Sequence, residues 1–236
     1  MTEVAVVTDV AAAAAELFVE ATAGAAAARG RAAVALTGGS SAPPFFAQLR
    51  TLRVPWQQVQ VYFTDERAVP ADDPLSNYRM AREGLLQHVA PAGIHRMRGE
   101  AKDLPAEAQR CAEDLRRGLG TPPRLDLVLL GLGPDGHICS LFAGVAASAE
   151  RGDAELVRAV EPPVHVEPKV ARLTLTPFLV VTARMVVLQV TGASKAGVLA
   201  RAIKGEEDLV ACPAQWLRKV SGRAVVVADA AAASGL

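Results

Sequence analysis

The segment Leu125-Asp-Leu-Val-Leu-Leu-Gly-Leu-Gly-Pro-Asp-Gly-His137 decides the fold of this chain. Its first half is a run of aliphatic residues, and its second half is a turn of glycines with polar and charged side chains. A strand that is apolar at almost every position is typical of a parallel sheet covered on both faces. The segment therefore predicts a buried strand over residues 125–130 that ends in a polar loop.

Similar strands recur along the chain, and stretches with helical periodicity lie between them. The other predicted strands span 32–37, 59–63, 172–176, 185–190 and 223–228, and the predicted helices span 10–28, 43–52, 76–88, 105–119 and 194–203. This alternation indicates a doubly wound, mostly parallel α/β sheet flanked by helices, a Rossmann-like fold. We expect one domain over residues 1–236. Residues 142–169, which prolines interrupt, are expected to form a small lid or excursion, and residues 230–236 a frayed tail.

Composition excludes several classes of partner. Half of the 236 residues are hydrophobic, so the chain can bury a sizeable core, and 25 Lys and Arg balance 25 Asp and Glu. Without a net positive field, neither nucleic acid nor an anionic membrane is an expected partner. The three cysteines, Cys111, Cys139 and Cys212, are widely spaced, as is typical of reduced thiols in the cytoplasm, where we expect this protein.

An alanine-rich stretch over residues 10–28 is the segment most similar to a membrane span. Alanine is only weakly apolar, and Glu16 and Glu20 would lie one above the other on the helix surface. The chain also has no Lys or Arg before Arg29, so the charged start of a secretion signal is missing. We interpret this stretch as an amphipathic helix of a soluble protein.

Polar loops follow four of the predicted strands. In a doubly wound sheet, ligands bind at the carboxyl ends of the strands, so we expect these loops to face one edge. The four loops are Thr-Gly-Gly-Ser-Ser at 37–41, Thr-Asp-Glu-Arg at 64–67, Gly-Leu-Gly-Pro-Asp-Gly-His at 131–137 and Thr-Gly-Ala-Ser-Lys at 191–195. Their shared edge is the predicted ligand site.

Two of these loops suit a phosphate. Residues 38–41, Gly-Gly-Ser-Ser before a helix, offer backbone N–H groups and hydroxyls, although a plain turn with a serine helix cap would look the same. Lys195 lies at the start of a helix, where the macrodipole disfavours a cation unless an anion is near. Arg67 could bind a phosphate or a carboxylate through its forked guanidinium. Together these loops favour a phosphate ligand.

His137 is the candidate general base. Asp135 in the same glycine-flanked turn can orient the imidazole and select its tautomer, although a helix cap or a loop contact is the more common role of a single histidine. The Gly-x-Gly-x-x-Gly pattern at 131–136 is not interpreted as a dinucleotide loop, because Asp135 would repel a pyrophosphate. Cys139 nearby is a weak candidate for a nucleophile or a metal ligand, because no fourth ligand lies near it. No metal or cofactor is expected.

Taken together, these segments resemble the 6-phosphogluconolactonase family. The resemblance rests on residues 37–41, 63–70 (Phe-Thr-Asp-Glu-Arg-Ala-Val-Pro, followed by Ser76 and Asn77), 125–142, and 172–176 (Arg-Leu-Thr-Leu-Thr), with Gly192, Lys195 and Cys-Pro-Ala at 212–214. The matches occur in the family's order and span nearly the whole chain. They imply a cofactor-free hydrolase of the oxidative pentose phosphate pathway, which opens 6-phosphogluconolactone to 6-phosphogluconate.

The resemblance also implies roles for individual residues. Those expected to hold the phosphate are Gly38, Gly39, Ser40, Arg172 and Lys195, with Arg67 close to it. Those expected to serve the chemistry are His137, which activates water, Asp135, which supports it, and Asp65 in the polar surroundings. Arg172 is assigned by the resemblance alone. The chain departs from the family at Ser41-Ala42, Ala143 and 167–169, positions that concern loop shape rather than chemistry.

Two other functions use a similar set of residues. An aminosugar-phosphate isomerase or deaminase shares the Asp-Glu turn and the Asp-Gly-His segment, but that family has an acidic residue soon after the histidine. Here residues 138–142 read Ile-Cys-Ser-Leu-Phe, which disfavours that reaction. A non-catalytic sugar-phosphate sensor would carry a DNA-binding module, for which this chain has no basic helix. The small-molecule lactone is therefore the expected partner, and a monomer the expected state.

Overall fold

A computed structural model describes residues 2–153 and 155–236. The strands are β1 (Thr2–Val6), β2 (Ala32–Leu36), β3 (Val59–Phe63), β4 (Asp65–Arg67), β5 (Gly93–Ile94), β6 (Leu127–Gly131), β7 (Val157–Val160), β8 (Arg172–Leu175), β9 (Met185–Val190) and β10 (Arg223–Ala228). The helices are α1 (Val10–Arg29), α2 (Ala42–Leu49), α3 (Asn77–Ala81), α4 (Leu104–Leu119), α5 (Pro177–Thr182) and α6 (Ala196–Lys204).

The main sheet is parallel throughout and has the order β1-β10-β9-β6-β2-β3-β5. The predicted doubly wound α/β fold is therefore confirmed, and β3, β9 and β10 have the predicted bounds. The segment 125–137 contains β6, which lies at the centre of the sheet between β9 and β2. The four strands expected to carry polar loops, β9, β6, β2 and β3, are adjacent in this order.

A second, three-stranded antiparallel sheet has the order β4-β8-β7. It includes β8, for which the sequence predicted a strand of the parallel sheet, and β4, for which it predicted a turn. The chain leaves the main sheet directly after β3, where the Leu175 N–H donates to the Thr64 carbonyl over 2.8 Å. Pairing with β8 thus makes a strand of the charged residues 65–67.

Alternate residues of the central strands pack against different helices. Val34, Leu129 and Val187 point to the side of α1 and α2, where Phe18 and Phe45 fill one half of the core. Their neighbours along each strand point to the side of α4, α5 and α6, which is also the side of the small sheet. Since both faces are covered, these strands need the continuous apolar sequences that they have.

Helix α1 covers one face of the sheet. By length and composition it is the one candidate membrane span within the described residues, but its buried side chains, Phe18 among them, pack on the sheet strands and α2. Glu16 and Glu20 are both exposed, as predicted. The Asp9 carboxylate accepts from the Ala12 N–H over 2.9 Å and caps the N-terminus of the helix. Gly30, with a φ of 71°, caps its C-terminus.

Three other expectations need correction. The predicted helix 76–88 is α3 followed by a π-helical segment, Arg82–Leu86. Residues 142–169 contain a short 3₁₀ turn, Ala146–Ala149, and β7, and residues 161–169 after β7 form an irregular excursion. The tail is not frayed: Ala232–Gly235 forms a 3₁₀ turn, Ala232 is buried, and the Ala232 N–H donates to Asp229.

The central position of β6 predicts a large stability cost for shortening its buried side chains. Leu129 is fully buried, so Leu129→Ala should lower the free energy of unfolding by about 3 kcal/mol through lost burial and the cavity left behind. Leu75, which is 39% exposed, provides the matched control, and Leu75→Ala should cost well under 1 kcal/mol. Urea unfolding of both variants checks the prediction, and equal losses would contradict it.

Candidate active site

A cavity of about 410 Å³ lies at the carboxyl edge of the main sheet. It is lined by residues from all four predicted loops, 37–41, 64–67, 131–137 and 191–195, and by Asn77, Cys139, Arg172, Gln189, Val190 and residues 165–167. The expectation that four neighbouring strands end at one ligand site is thus supported by the geometry. The excursion contributes residues 165–167 to the wall of this cavity.

His137 and Asp135 form a close pair in this cavity. The His137 Nδ1 lies 2.5 Å from Asp135 Oδ1, and the His137 backbone N–H donates to the same oxygen over 3.1 Å. A carboxylate accepts only, so Nδ1 carries the proton in the neutral imidazole. The Nε2 atom has no hydrogen-bond partner within the described residues and is therefore the nitrogen that can accept a proton.

Asp135 also binds a second histidine, His165, which lies in the excursion. His165 Nε2 lies 3.0 Å from Asp135 Oδ2, across 30 residues of sequence. Burial opposes ionisation of Asp135, but the hydrogen bond and charge of His137, together with His165, hold the pKa of that carboxyl well below its usual range. No local sequence signal marks His165, because its partner is supplied by the fold.

Asp65 and Arg172 form a buried pair on neighbouring strands of the small sheet. Arg172 Nη1 lies 3.9 Å from Asp65 Oδ2, and the same oxygen accepts from the Ser140 hydroxyl over 2.7 Å. Arg172 also donates to the carbonyl of Pro168 over 2.9 Å, which fixes the end of the excursion. Burial lowers the pKa of the Arg172 guanidinium and Asp65 opposes this, yet an arginine stays charged.

Arg67 reaches the cavity from β4. Its Nη1 donates to the Leu75 carbonyl over 2.6 Å, while its Nε is buried with no partner in the described part of the chain. The neighbouring Glu66 has a structural role: its carboxylate accepts from the backbone N–H groups of Asn77 and Tyr78 and so holds the start of α3. Burial raises the pKa of Glu66 in spite of these hydrogen bonds.

The loop after β2 has the close approach that its glycines suggest. A Cβ on Gly38 would overlap Asn77 Oδ1, and Gly39 has a φ of 82°, which L side chains rarely adopt. Ser41 lies at the start of α2, but among the described residues its hydroxyl caps no N–H of that helix. The plain capping alternative therefore does not account for Ser41, and all five residues 37–41 line the cavity.

Lys195 lies at the start of α6 and follows β9, which β6 and β2 separate from β3 in the sheet. Its Nζ donates to the Leu132 carbonyl over 2.8 Å. Burial lowers the pKa of Lys195 below its usual value, and the Asp135 carboxylate opposes that effect. The backbone carbonyl positions the ammonium without neutralising it, which leaves its charge available to an anion.

Two other interpretations of the segment around His137, a dinucleotide-binding loop and a role of Cys139 as nucleophile or metal ligand, have little geometric support. Residues 132–137 form an irregular turn, and the turn continues through the bridge between Ile138 and Leu141, so no helix N-terminus follows for a pyrophosphate within the described residues. Burial, with a smaller effect of Asp65, raises the pKa of the Cys139 thiol well above its usual range, which disfavours a thiolate nucleophile. Within the described ranges, no three His, Cys, Asp or Glu side chains could hold a metal ion.

All of the predicted site residues thus lie in or beside one cavity. Those that line it are Gly38, Gly39, Ser40, Asp65, Arg67, His137, Arg172 and Lys195, and Asp135 supports His137 from behind. His165 and Gln189 also line the cavity, and neither was predicted as a site residue. Gln189 is the one polar side chain in the otherwise apolar β9, a signal that could have been noticed.

The lowered pKa of Asp135 predicts a pH-dependent contribution to stability. Since its pKa in the folded protein lies below the unfolded value of about 3.9, the carboxylate stabilises the fold above that pH. This contribution is lost as the pH falls through the folded-state pKa. The difference in unfolding free energy between the native protein and Asp135→Asn should therefore be largest above about pH 4 and shrink below it.

Urea unfolding at several pH values between 2.5 and 7 measures this difference. Asp72→Asn is the control, because Asp72 is exposed and its replacement should change the free energy of unfolding little at any pH. A difference for Asp135→Asn that grows as the solution is acidified would contradict the prediction.

Known proteins resemble this chain over most of its length. The model of a family described as glucosamine-6-phosphate isomerases/6-phosphogluconolactonase matches residues 6–226. The chain is 37% identical over 196 residues to the 6-phosphogluconolactonase of Synechocystis sp., which covers 80% of this chain and 79% of that protein. It is 38% identical over 192 residues to the 6-phosphogluconolactonase of Caulobacter vibrioides, covering 79% of this chain and 80% of the relative.

A solved structure extends the comparison to the whole fold. The structure of 6-phosphogluconolactonase from Trypanosoma brucei matches with a TM-score of 0.87 at 29% identity, and the match covers 100% of this chain and 99% of that one. The sequence matches and the shared fold therefore agree. This chain belongs to the glucosamine-6-phosphate isomerase/6-phosphogluconolactonase family.

Proposed function

We propose that this chain hydrolyses 6-phospho-D-glucono-1,5-lactone to 6-phospho-D-gluconate, the step of the oxidative pentose phosphate pathway for which its curated relatives are named. The observation that carries the proposal is the His137–Asp135 pair at the cavity, with Nδ1 bound to the carboxylate and Nε2 left to accept a proton. This arrangement is the one a water-activating base requires.

In the proposed mechanism, His137 Nε2 takes a proton from a water molecule as the water oxygen bonds to the lactone carbonyl carbon. The carbonyl oxygen becomes an oxyanion, which backbone N–H groups or a cationic side chain of the cavity would stabilise. The bond between that carbon and the ring oxygen then breaks, and the imidazolium returns the proton to the ring oxygen. The products are a hydroxyl group and a carboxylic acid, which ionises at neutral pH.

The phosphate would be held apart from the reacting carbon. Backbone N–H groups and the hydroxyl of residues 38–40 supply neutral donors, and Arg67, Arg172 and Lys195 supply charge around the same cavity. Binding energy from this remote group would orient the lactone ring against His137, which converts affinity into rate. An anion near Lys195 would also oppose the effect of burial on its pKa.

Family membership alone does not choose between a lactonase and an aminosugar-phosphate isomerase, because the family contains both. The residues that follow His137 support the lactonase. Residues 138–142 contain no carboxylate and are buried, and Ser140 is bound to Asp65. An acid for sugar-ring opening is therefore missing where the isomerases have one, whereas lactone hydrolysis needs only the base.

We also propose that the protein acts as a cytoplasmic monomer on a small molecule, without a nucleic-acid or membrane partner. Its balanced charge, 25 basic against 25 acidic residues, supports this, since association with nucleic acid or anionic lipid depends on a positive field. Cys111, Cys139 and Cys212 are buried as free thiols, in agreement with a reducing compartment.

Turnover of freshly generated 6-phosphogluconolactone, monitored as acid release, tests the proposal. We expect hydrolysis well above the spontaneous rate and no conversion of glucosamine 6-phosphate under the same conditions. Conversion of the aminosugar would indicate the isomerase instead. Binding of either compound without turnover would indicate a sugar-phosphate sensor.

Replacing the proposed base tests the mechanism separately. His137→Asn keeps a polar side chain but cannot take a proton, so kcat should fall by about 10²–10⁴-fold with KM nearly unchanged. His88→Asn is the matched control, because His88 is exposed and does not line the cavity, and it should retain full activity. A His137→Asn variant with a kcat close to that of the native protein would exclude the role of His137 as base.

A further inference from the structure

Three buried polar atoms of the cavity wall have no hydrogen-bond partner in the part of the chain that the structure describes. Within residues 2–153 and 155–236, four buried side-chain nitrogen or oxygen atoms lack a partner, and Arg67 Nε, Asn77 Oδ1 and Gln189 Nε2 are the three that belong to cavity-lining residues. A buried donor or acceptor without a partner is destabilising, so such groups are rare in folded proteins. At a ligand site they are best explained as groups that bind the ligand.

Gln189 is the least expected of the three. It lies in β9, whose other residues are Met185, Val186, Val187, Leu188 and Val190, and it is only 2% exposed. Neither the proposed base nor the loops expected to hold the phosphate include it. A glutamine in the interior of a sheet loses the hydration of its amide and needs a polar partner in exchange.

The register of the sheet shows where this side chain points. Gln189 is two residues beyond Val187, which packs on the side of α1 and α2, so Gln189 lies on that same face. Its in-register neighbour on β6 is Gly131. A Cβ on Gly131 would lie 3.3 Å from the Ser41 hydroxyl oxygen, so the loop after β2 borders the same space.

Gly131 therefore leaves an opening between Gln189 and the loop of residues 38–41. Neighbouring strands lie roughly 4.8 Å apart, a distance that a glutamine side chain covers. The turn Gly192–Lys195 begins three residues after Gln189. It brings Lys195 to the cavity. Gln189 thus lines the cavity between the two loops expected to bind phosphate.

We propose that Gln189 is a phosphate-binding residue whose Nε2 donates a hydrogen bond to a phosphate oxygen of the substrate. The inference takes its ligand class from the proposed function. A neutral amide donor suits this place because it adds a hydrogen bond to a dianion without further cationic charge beside Lys195. The phosphate in turn supplies the acceptor that the protein does not.

Gln189→Met tests the inference, because methionine is similar in length and flexibility but cannot donate. We expect the Kd for 6-phosphogluconate, measured by calorimetry, to rise about 10-fold. The kcat/KM for 6-phosphogluconolactone should fall by a similar factor, whereas kcat/KM for unphosphorylated glucono-1,5-lactone should stay unchanged. Gln189→Glu should weaken 6-phosphogluconate binding further, because it brings a carboxylate to the phosphate.

Thermal unfolding separates a binding role from a structural one. Removing an unpartnered donor should leave the Tm of Gln189→Met unchanged or raise it. Gln215 provides the matched control, since it is buried outside the cavity and its amide accepts from the Asp208 N–H and donates to the Glu206 carbonyl. Gln215→Met should lower the Tm and leave the ratio of the two lactone activities unchanged.

Two results would overturn the inference: an unchanged Kd for 6-phosphogluconate in Gln189→Met, or an equal loss of activity towards both lactones. The second result would place Gln189 at the sugar rather than at the phosphate. Failure of the proposed lactonase function can be told apart from failure of this inference, because it would appear as absent turnover by the native protein. The comparison of 6-phosphogluconate binding would still decide the role of Gln189.

Discussion

The parallel alignment of β9, β6, β2 and β3 is the constraint on which the rest of this structure depends. Parallel strands all end at the same edge, so the loops that follow them must meet there, however far apart they are in sequence. Residues 37–41 and 191–195 are separated by about 150 positions, and this alignment brings them to one cavity. The apolar sequences of the strands therefore determine the geometry of the polar site.

Asp135 positions two histidines at the cavity formed by these loops. One carboxylate oxygen holds Nδ1 of His137, and the other holds Nε2 of His165, which belongs to the excursion over the cavity. The same carboxylate therefore orients the proposed base and fixes part of the cavity wall. Because Asp135 is half-buried and bound from both sides, its pKa is low, and it stays an acceptor over the pH range in which a histidine base works.

The features that could be predicted are those determined by local pattern. The bounds of β3, β9 and β10 follow from runs of β-branched and aliphatic residues, and the site loops follow from what lies at the ends of such runs. The features that were missed depend on tertiary partners. Residues 65–67 are charged and resemble a turn, and they become a strand only through pairing with β8.

Dependence on tertiary partners also explains why the ordered tail and the contact of His165 were not predicted. Ala232 lies in an alanine-rich terminus that suggests fraying, but Asp229 accepts from both the Ala232 N–H and the Gly192 N–H and ties the terminus to a site loop. The contact of His165 with Asp135 joins two irregular segments, for which no periodicity exists to be detected. Local patterns predict the elements, whereas contacts between loops require the fold.

The electrostatics of the cavity follow from how its cations are held. The side chains of Lys195 and Arg67 donate to backbone carbonyls, of Leu132 and Leu75, and within the described residues to no carboxylate. A carbonyl fixes the position of a cation but leaves its net charge intact, whereas a carboxylate would cancel it. Arg172 is different, since Asp65 lies 3.9 Å away and offsets part of its charge. Lys195 and Arg67 are therefore the stronger attractors for a dianion, and Arg172, which also donates to the carbonyl of Pro168, acts more on the shape of the site.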